Sequence, residues 1–357
     1  MAIKNSKIML SHGSGGQMMH DLIKNLILPK FGNPLLNKLT DSAVIEFKDI
    51  SDKGLSEGLA FTSDSFVVNP LFFRGGDIGK LAVFGTINDL VVSGALPLYL
   101  SLSLIIEEGL DYFLLERVLD SISSASLDSR VKVVTGDIKV VEEGACDKLF
   151  INTAGIGRVI RDFKIKDIKT GDQVIITGRI AEHGLSILSQ RKGMDFGLDV
   201  KSDCISLSRL LIPLLKKYEA APSGRSRNRV RRCGIKFMRD PTRGGLATTL
   251  NEIARASNLG IVIEESKVPI ANRIRAACEL LGMDPLYIAN EGKAVLVVSP
   301  DSAGGILKDL NQHRQGRHAR IIGKITPIPK GKVILNTAVG TSRILDMLSS
   351  EPLPRIC

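Results

Sequence analysis

The fold is decided by the segment from Leu59 to Ile106, which reads LAFTSDSFVVNPLFFRGGDIGKLAVFGTINDLVVSGALPLYLSLSLII. Its two ends, Leu59–Val68 and Leu98–Ile106, are short apolar runs that predict strands. Between them, Asp77–Ser93 begins with a capping aspartate and stops at Gly94, which predicts a helix. A strand, a helix and a second strand in this order indicate an α/β or α+β protein.

The remaining segments follow the same alternation. In the first half the patterns predict strands at Val131–Val134 and Lys148–Val159, and helices at Gln17–Ile27 and Asp111–Ser124. In the second half they predict strands at Gln173–Thr177, Gly260–Glu264, Ala294–Val298 and Ile321–Ile325. The predicted helices there are Asp203–Lys217 (which Pro213 should kink), Leu246–Ala256, Asn272–Leu281, Ser302–Leu310 and Thr341–Ser349.

The length of 357 residues suits two domains. The change of pattern falls in the charged stretch 161–172, RDFKIKDIKTGD. We therefore predict an N-terminal domain over 1–165, a C-terminal domain over 166–348 and a flexible tail over 349–357.

Composition excludes several classes of protein. Aromatic residues make up 4% of the chain and tryptophan is absent, so a base-stacking nucleic-acid platform is disfavoured. No apolar stretch approaches the ~20 residues that span a membrane, and the first residues lack the pattern of a signal peptide. The five cysteines are scattered, odd in number and form no CxxC pair, which is typical of reduced cytoplasmic thiols.

The net charge is +10, and much of the excess lies in one arginine-rich run between residues 221 and 234. Its arginines are Arg225, Arg227, Arg229, Arg231 and Arg232. Such a run is typical of a solvated loop. A docking patch for an acidic partner is the alternative.

Two glycine-containing loops precede predicted helices. His12–Gly16 (HGSGG) is either a capping loop or a phosphate site, because glycines let the backbone approach an anion at a helix start. No good strand precedes it and no GK[ST] follows, so it is neither a Rossmann nor a Walker loop. Met238–Gly245 (MRDPTRGG) brings arginines that can clamp phosphate, and Asp240 there can bind a metal or cap a helix.

Four acidic residues form a candidate set, Asp64, Asp77, Asp89 and Asp137, of which Asp64 interrupts an apolar strand and Asp89 a mostly apolar helix. An ionised carboxylate among apolar residues is costly unless it is paired or bound to a cation. Any single one of them is explained by a cap or a surface position. As a converging set they suggest Mg²⁺, which binds a few carboxylates together with nucleotide phosphates.

Glu291 lies in the loop Ala289–Lys293 (ANEGK), just before a predicted strand. A carboxylate there is either a general base or part of a solvated turn. The chain closes with EPLPRIC, in which two prolines favour an extended arm that ends in Cys357. That thiol is either a mobile nucleophile or an incidental cysteine on a frayed end.

Taken in order, these segments resemble the HypE family, the carbamoyl dehydratases of nickel–iron hydrogenase maturation. The resemblance covers residues 12–357 and rests on HGSGG, SDSFVVNPLFFRGGDIGKLAVFGTINDLVVSGALPLYLS, GDIKVV, FINTAGIGR, MRDPTRGGLATTLNEIA, ANEGK and the closing PRIC. The long N-terminal block is shared with aminoimidazole ribotide (AIR) synthetase, selenophosphate synthetase and thiamine-phosphate kinase. The closing PRIC is specific to HypE.

The resemblance implies a two-domain, AIR-synthetase-like (PurM-like) fold whose N-terminal domains pair through their sheets in a homodimer. It implies ATP and Mg²⁺ near that interface. It also implies that the carbamoyltransferase HypF loads the terminal cysteine, that ATP drives dehydration to a thiocyanate, and that a HypC–HypD complex accepts the cyanide.

The resemblance assigns roles to individual residues as well. Cys357 would carry the carbamoyl group, Glu291 would take a proton and Lys139 would orient the carbamoyl group or Glu291. Metal ligands would come from Asp64, Asp89, Asp137 and Asp240. Nucleotide contacts would come from His12, Gly13, Ser14, Gly15, Gly16, Lys80, Asn88, Arg239, Thr242, Arg243, Gly244 and Gly245.

Two departures from the family pattern stand out. Ile138 replaces the threonine expected in GDTKVV, so any role of that hydroxyl is lost, and the arginine-rich stretch is longer than expected. Two other functions remain as alternatives. One is a sibling ATP-dependent kinase or synthetase that needs no terminal thiol, and the other is a scaffold that binds maturation partners without catalysis.

Overall fold

A computed structural model describes residues 8–9, 12, 16–46, 58–191, 199–218, 234–348 and 355–356. The first half supplies α1 (Gln17–Leu22), α2 (Leu28–Phe31), β1 (Ala43–Glu46), β2 (Gly58–Phe66), β3 (Phe72–Phe73), β4 (Gly76–Asp77), α3 (Ile78–Val92), β5 (Ala95–Glu107), α4 (Tyr112–Ser129), β6 (Lys132–Val141) and β7 (Leu149–Val159). A π-helical turn, Ile23–Ile27, joins α1 to α2, so the predicted helix Gln17–Ile27 is helical throughout.

The second half supplies β8 (Gln173–Ile176), α5 (Glu182–Leu188), α6 (Ser208–Lys217), β9 (Ile235–Arg239), α7 (Gly245–Ser257), β10 (Gly260–Glu264), α8 (Asn272–Leu281), β11 (Val295–Val298), α9 (Pro300–Gln312), β12 (Arg320–Thr326), β13 (Val333–Asn336) and β14 (Ser342–Ile344). Short 3₁₀ turns lie at Leu36–Lys38, Ile165–Asp167, Glu265–Lys267 and Pro285–Tyr287. Among the described residues, no helix has both the length and the apolar character needed to cross a membrane.

The strands form two large sheets, one in each half. The first has the order β1-β2-β7-β5-β6 and the second has the order β14-β13-β10-β12-β8-β11-β9, while β3 and β4 form a small hairpin. Pairing is antiparallel except between β5 and β6 and between β10 and β13. Two mixed sheets combined with helices confirm the predicted α+β class.

α3 is the central helix of the first half. Its capping prediction is confirmed, because the Asp77 carboxylate accepts hydrogen bonds from the backbone N–H groups of Gly79 and Lys80. Nearly every side chain of α3 is buried, since the sheet packs on one face while α4 and α6 pack on the others. α6 belongs to the second half, so one hydrophobic core runs through both halves.

Two predicted helices differ from the structure. The helix predicted over Asp203–Lys217 begins only at Ser208, and the residues before it form an extended segment that packs on the Glu291 loop. The helix predicted over Thr341–Ser349 is wrong, because Ser342–Ile344 is strand β14, paired with β13. A nonlocal strand partner outweighs the weak local helical pattern there.

Candidate active site

A cavity of about 190 Å³ lies between the two halves of the chain. The first half contributes Met19, Asp41, Asp64, Phe66, Gly85 and Asp89 to its walls. The second half contributes Arg239, Asp240, Thr242, Arg243, Thr248, Thr249, Glu252 and Glu291. The cavity therefore gathers three of the four predicted metal ligands, Asp64, Asp89 and Asp240, and three of the predicted nucleotide contacts, Arg239, Thr242 and Arg243.

Asp64 and Asp89 reach the cavity from β2 and α3, which pack against each other. Thr62, two residues before Asp64 on the same face of β2, donates a hydrogen bond of 2.9 Å from its Oγ1 to Asp89 Oδ2. Gly85 lies one turn before Asp89, and a Cβ there would come within 2.9 Å of the Phe66 ring. Glycine at position 85 thus leaves room for the Phe66 ring, which lines the cavity together with Asp64 and Asp89.

Arg239 ends β9 and is held by two carboxylates. Its Nε lies 3.2 Å from Asp41 Oδ1 and 2.9 Å from Glu252 Oε2, and Glu252 also contacts His20 of α1 at 3.0 Å. Both anions raise the pKa of Arg239 despite its burial. The guanidinium therefore ties α1, the Asp41 segment and α7 together, whereas the sequence suggested that it binds phosphate.

The Gly244–Gly245 pair shapes the turn that opens α7. Both residues have positive φ, 72° and 61°, and a Cβ at Gly245 would lie 2.6 Å from the carbonyl oxygen of Ile288. Only glycine fits this position without strain. The turn places Thr242 and Arg243 at the cavity, together with Thr248 and Thr249 of α7, and the guanidinium of Arg243 there suits an anion.

Glu291 lies in a loop that is fixed by its neighbours. Its side chain is 4% exposed, and its backbone N–H donates to Asp203 Oδ1 at 3.2 Å. Asn290 accepts a hydrogen bond from Ala181 N at 2.7 Å and donates to Pro241 O at 3.0 Å. The backbone of the loop is therefore rigid, while the Glu291 side chain faces the cavity.

The cavity concentrates negative charge. Burial first, and then the neighbouring carboxylates, raise the pKa of Asp89, Asp240 and Glu291 well above their ordinary values. Burial also raises the pKa of Asp64, against the pull of Arg243, and that of Asp41 to about 6. A bound cation would relieve this repulsion, so the residues fit Mg²⁺.

Among the described residues, no three His, Cys, Asp or Glu side chains converge closely enough to hold a metal ion by themselves. This arrangement is compatible with Mg²⁺, which commonly takes one or two carboxylates and fills its remaining positions with water and nucleotide phosphates.

Asp137 and Lys139 do not reach this cavity in the same chain. They lie on the edge strand β6, 62% and 72% exposed, with 3.4 Å between Lys139 Nζ and Asp137 Oδ2. The strand register places Asp64 and Asp137 on opposite faces of the sheet. Three strand spacings, about 14 Å, also separate β2 from β6. A metal site shared by Asp64, Asp89 and Asp137 within one chain is therefore excluded.

Asn88 was predicted to contact the nucleotide, but it supports loops instead. Its side chain is 1% exposed and donates to the carbonyl oxygens of Ile205 and Glu291, both at 3.0 Å. Its Oδ1 accepts from Leu207 N at 2.8 Å. Its amide is thus committed to positioning the Glu291 loop.

The other predicted nucleotide contacts lie near the starts of helices. Lys80 lies in the first turn of α3, 5.8 Å from the ring centroid of Phe84. In the HGSGG loop, His12 Nδ1 accepts a hydrogen bond from Met9 N at 3.1 Å. Gly16 is the N-cap of α1, and Met19 of that helix lines the cavity. Gly13, Ser14 and Gly15 lie outside the described residues, as do the arginines of the run after residue 221.

The end of the chain is described only at Arg355 and Ile356, so Cys357 and the preceding prolines lie outside the described residues. Arg355 forms an ion pair with Asp147. Ile356 is 1% exposed, and its carbonyl oxygen lies 2.7 Å from His183 Nε2. These two residues are packed on the body of the protein.

Sequence reasoning missed four residues that build the site, Asp41, His183, Asp203 and Glu252. Asp203 was taken as the start of a helix, although it accepts hydrogen bonds from the Glu291 loop. In the sequence, these residues are marked only as ionisable side chains near apolar ones. That pattern does not indicate which distant residue each side chain contacts.

Comparison with known proteins identifies the family. The models for AIR synthase related proteins match residues 40–159 (N-terminal domain) and 169–336 (C-terminal domain). The carbamoyl dehydratase HypE of Bradyrhizobium diazoefficiens is 43% identical, over 99% of this chain and 97% of its own length. The HypE of Escherichia coli K12 is 40% identical, over 99% of this chain and its own full length.

Solved structures agree with this. HypE in a HypE–HypF complex superposes with a TM-score of 0.81 at 40% identity, covering 92% of this chain and 99% of the other. HypE in complex with ATP superposes with a TM-score of 0.77 at 43% identity, covering 98% and 100%. A ThiL structure at 17% identity, with a TM-score of 0.63 over 96% and 99%, shares the fold. The chain therefore belongs to the HypE family of carbamoyl dehydratases, enzymes of hydrogenase maturation built on the fold of the AIR synthase related proteins.

Proposed function

We propose that this enzyme uses ATP to convert a carbamoyl group on the sulfur of Cys357 into a thiocyanate, which supplies cyanide to the iron of a nickel–iron hydrogenase. One observation carries the proposal above the others. Glu291, a buried carboxylate with a raised pKa, is held by Asp203 and Asn88 at the wall of a cavity whose other side suits phosphates. The relatives named as carbamoyl dehydratases, one of them solved with ATP, support the same reaction.

The chemistry requires a better leaving group than an amide oxygen. ATP, when bound, supplies it by phosphorylating that oxygen, so that the overall change is loss of water from the thiocarbamate and release of ADP and phosphate. The residues of the chain then have two tasks. Arg243 would bind phosphate oxygens. One amide proton leaves when the oxygen is phosphorylated, and Glu291 takes the second as the C≡N bond forms and phosphate departs.

The same carboxylates that repel one another would hold Mg²⁺. Asp64 and Asp89 from the first half and Asp240 from the second border the cavity. Burial raises the pKa of all three carboxyl groups, and neighbouring carboxylates raise those of Asp89 and Asp240 further, so a bound cation would favour their ionised forms. Mg²⁺ there would offset the charge of the nucleotide phosphates and strengthen their attachment.

We propose that the enzyme is a homodimer in which Asp137 and Lys139 serve the site of the partner. The sheet face opposite Asp64 is open, and it exposes apolar side chains in register across three strands, Phe61, Tyr99 and Ile156. Lys139 shares that face, since it pairs with the exposed Ile105. A second copy covering this face would bury the apolar patch. Lys139 and Asp137 are too far from the cavity of their own chain to act there.

The partners of the reaction follow from its chemistry and from the relatives. A HypF-type carbamoyltransferase would load Cys357, which the solved HypE–HypF complex supports. A HypC–HypD complex that holds iron would accept the cyanide. The reaction requires a free terminal thiol, and the scattered cysteines suit a reducing cytoplasm.

Intact-mass spectrometry with the carbamoyl donor system, before and after ATP, tests the proposal. Loading should add about 43 Da and dehydration should then remove about 18 Da, as the atoms transferred require. A sibling kinase would leave the protein mass unchanged while it phosphorylated a small molecule. A scaffold would show loading without the ATP-dependent loss.

A further inference from the structure

The described end of the chain sits in a built site that we call the tail dock, formed by Asn69, Asp147, His183 and Arg191. The carbonyl oxygen of Arg355 accepts hydrogen bonds from Arg191 Nη2 at 2.9 Å and from Asn69 N at 3.3 Å. Asn69 Nδ2 also donates to Asp147, the ion-pair partner of Arg355. The dock is therefore made by both halves of the chain and fixes two consecutive backbone positions.

His183 makes the innermost contact of the dock. It is fully buried, its Nε2 lies 2.7 Å from the Ile356 carbonyl oxygen and its Nδ1 lies 2.8 Å from Ser202 Oγ. A carbonyl oxygen only accepts, so Nε2 carries the proton and Nδ1 accepts from the Ser202 hydroxyl. The Phe73 ring packs edge-on against the imidazole, with 5.6 Å between centroids, which fixes its plane.

The segment Ser202–Asp203–Cys204 connects this histidine to the catalytic loop. Ser202 Oγ, which donates to His183, accepts from Cys204 N at 3.0 Å. The next residue, Asp203, accepts from the backbone N–H groups of Glu291 and Gly292 at 3.2 and 3.3 Å. The docked tail and the Glu291 loop are thus attached to adjacent residues of one short segment.

We propose that His183 is a positioning residue for the dehydration: by holding the carbonyl of Ile356, the residue bonded to Cys357, it sets where the carbamoylated sulfur lies relative to Glu291. This inference rests on the proposed function of Cys357 and Glu291. His183 acts through the tail and through Ser202, and it takes no proton from the substrate.

Two variants of His183 separate its hydrogen bond from its bulk. His183→Gln keeps an N–H donor close to the position of Nε2, whereas His183→Leu fills the space without one. Each protein is first carbamoylated on Cys357, and the single-turnover loss of water is then followed at saturating ATP. We expect His183→Leu to lose water about tenfold more slowly than the wild type, because the buried Ile356 carbonyl then has no hydrogen-bond donor. His183→Gln keeps a donor and should recover most of the rate. ATP affinity should be equal in all three proteins.

A second measurement needs no carbamoyl chemistry. Lys332 is the last lysine of the chain, so a protease that cleaves after lysine releases the peptide 333–357. Cys357 is the only cysteine of that peptide, so the mass of the peptide reports alkylation of Cys357 by iodoacetamide. We expect faster labelling of Cys357 in His183→Leu than in the wild type or His183→Gln. His313→Leu, at the end of α9, makes the same change outside the dock and should match the wild type.

Equal dehydration and equal labelling rates in wild type and His183→Leu would overturn the proposal. Ser202→Ala keeps the imidazole but removes its hydroxyl partner, so it should show a smaller effect in the same direction. It replaces His183→Leu in these measurements if His183→Leu does not fold. If no protein, including the wild type, dehydrates the loaded cysteine, the proposed function fails, while the labelling rates still report the docking contact.

Discussion

Lys293 and Asp203 form an ion pair in the interior of the protein, with 2.9 Å between Nζ and Oδ2 and both side chains almost fully buried. Burial alone would raise the pKa of Asp203, but the charge of Lys293 and the hydrogen bonds from Lys293 and the Glu291 backbone outweigh it and lower that pKa below its usual value. Asp203 also receives the backbone N–H groups of Glu291 and Gly292. The pair therefore fixes the loop that carries Glu291, the carboxylate that we propose as the base.

Asp203→Asn should destabilise the fold by roughly 3–5 kcal/mol, because it leaves the Lys293 ammonium buried without its anion. The free energy of unfolding in denaturant measures this loss. Asp309→Asn is the matched control, since Asp309 pairs with the exposed Lys217 and should cost about 1 kcal/mol or less. Equal costs for the two variants would contradict the role of the buried pair.

Glu291→Gln should keep loading of Cys357 intact and stall dehydration, because an amide cannot accept the proton. The intact mass should stay at the carbamoylated value after ATP is added. In the wild type the rate should fall as the pH drops through the raised pKa of Glu291, since only the carboxylate form is a base. Normal formation of thiocyanate by the variant would remove Glu291 from the mechanism.

Cys357→Ser should abolish carbamoyl loading while leaving the thermal unfolding midpoint and ATP binding unchanged, because a hydroxyl is far less nucleophilic than a thiolate near neutral pH. Transfer of labelled carbamoyl groups to the protein is the measurement. Cys146→Ser, at a half-buried position, is the control and should load normally. Label on the Cys357→Ser protein would show that another residue carries the group.

Mg²⁺ together with a non-hydrolysable ATP analogue should raise the unfolding midpoint more at about pH 8 than at about pH 6. Asp64, Asp89 and Asp240 have raised pKa values, so the folded protein holds extra protons at low pH and loses stability as they leave with rising pH. The cation offsets that loss. Asp89→Asn should reduce the Mg²⁺ effect, whereas Asp120→Asn, exposed on α4, should not. A Mg²⁺ effect that is independent of pH would argue against carboxylate ligands.

Mixing two inactive proteins tests whether the sites are shared between subunits. Subunit exchange between Lys139→Ala and Glu291→Gln homodimers should restore up to about a quarter of the wild-type rate, because half the dimers are mixed and each has one intact site. If both residues act in the same chain, every site carries a defect and the mixture stays inactive. Exchange itself is followed by native mass spectrometry, which separates failure to mix from failure to act.

The sequence predicted most strands and the capped helices, because these depend on local patterns. The Asp77 and Asp111 caps appear as expected, and β2, β5 and β7 lie where apolar runs predicted strands. The wrong helix over Thr341–Ser349 and the late start of α6 both involve segments whose partners lie far away in the chain.

The candidate site was predictable in its residue types but only partly in its arrangement. Asp64, Asp89 and Asp240 line one cavity, as predicted for carboxylates that converge, and Glu291 lies in the wall of the same cavity. Which face of the sheet Asp137 occupies depends on strand register, and no single segment contains that information. The commitment of Asn88 and Arg239 to internal contacts likewise depends on partners distant in sequence.

The acidic cavity also has a mechanical meaning. Its carboxylates come from both halves of the chain. Asp64 and Asp89 belong to the first half, and Asp240 and Glu291 belong to the second. When these groups are ionised and no cation is bound, their like charges repel each other across the cavity, and the ion pair between Arg239 and Asp41 opposes that repulsion. A nucleotide bound there together with a metal ion would replace that repulsion with attraction, so the proposed substrate itself would hold the two halves together.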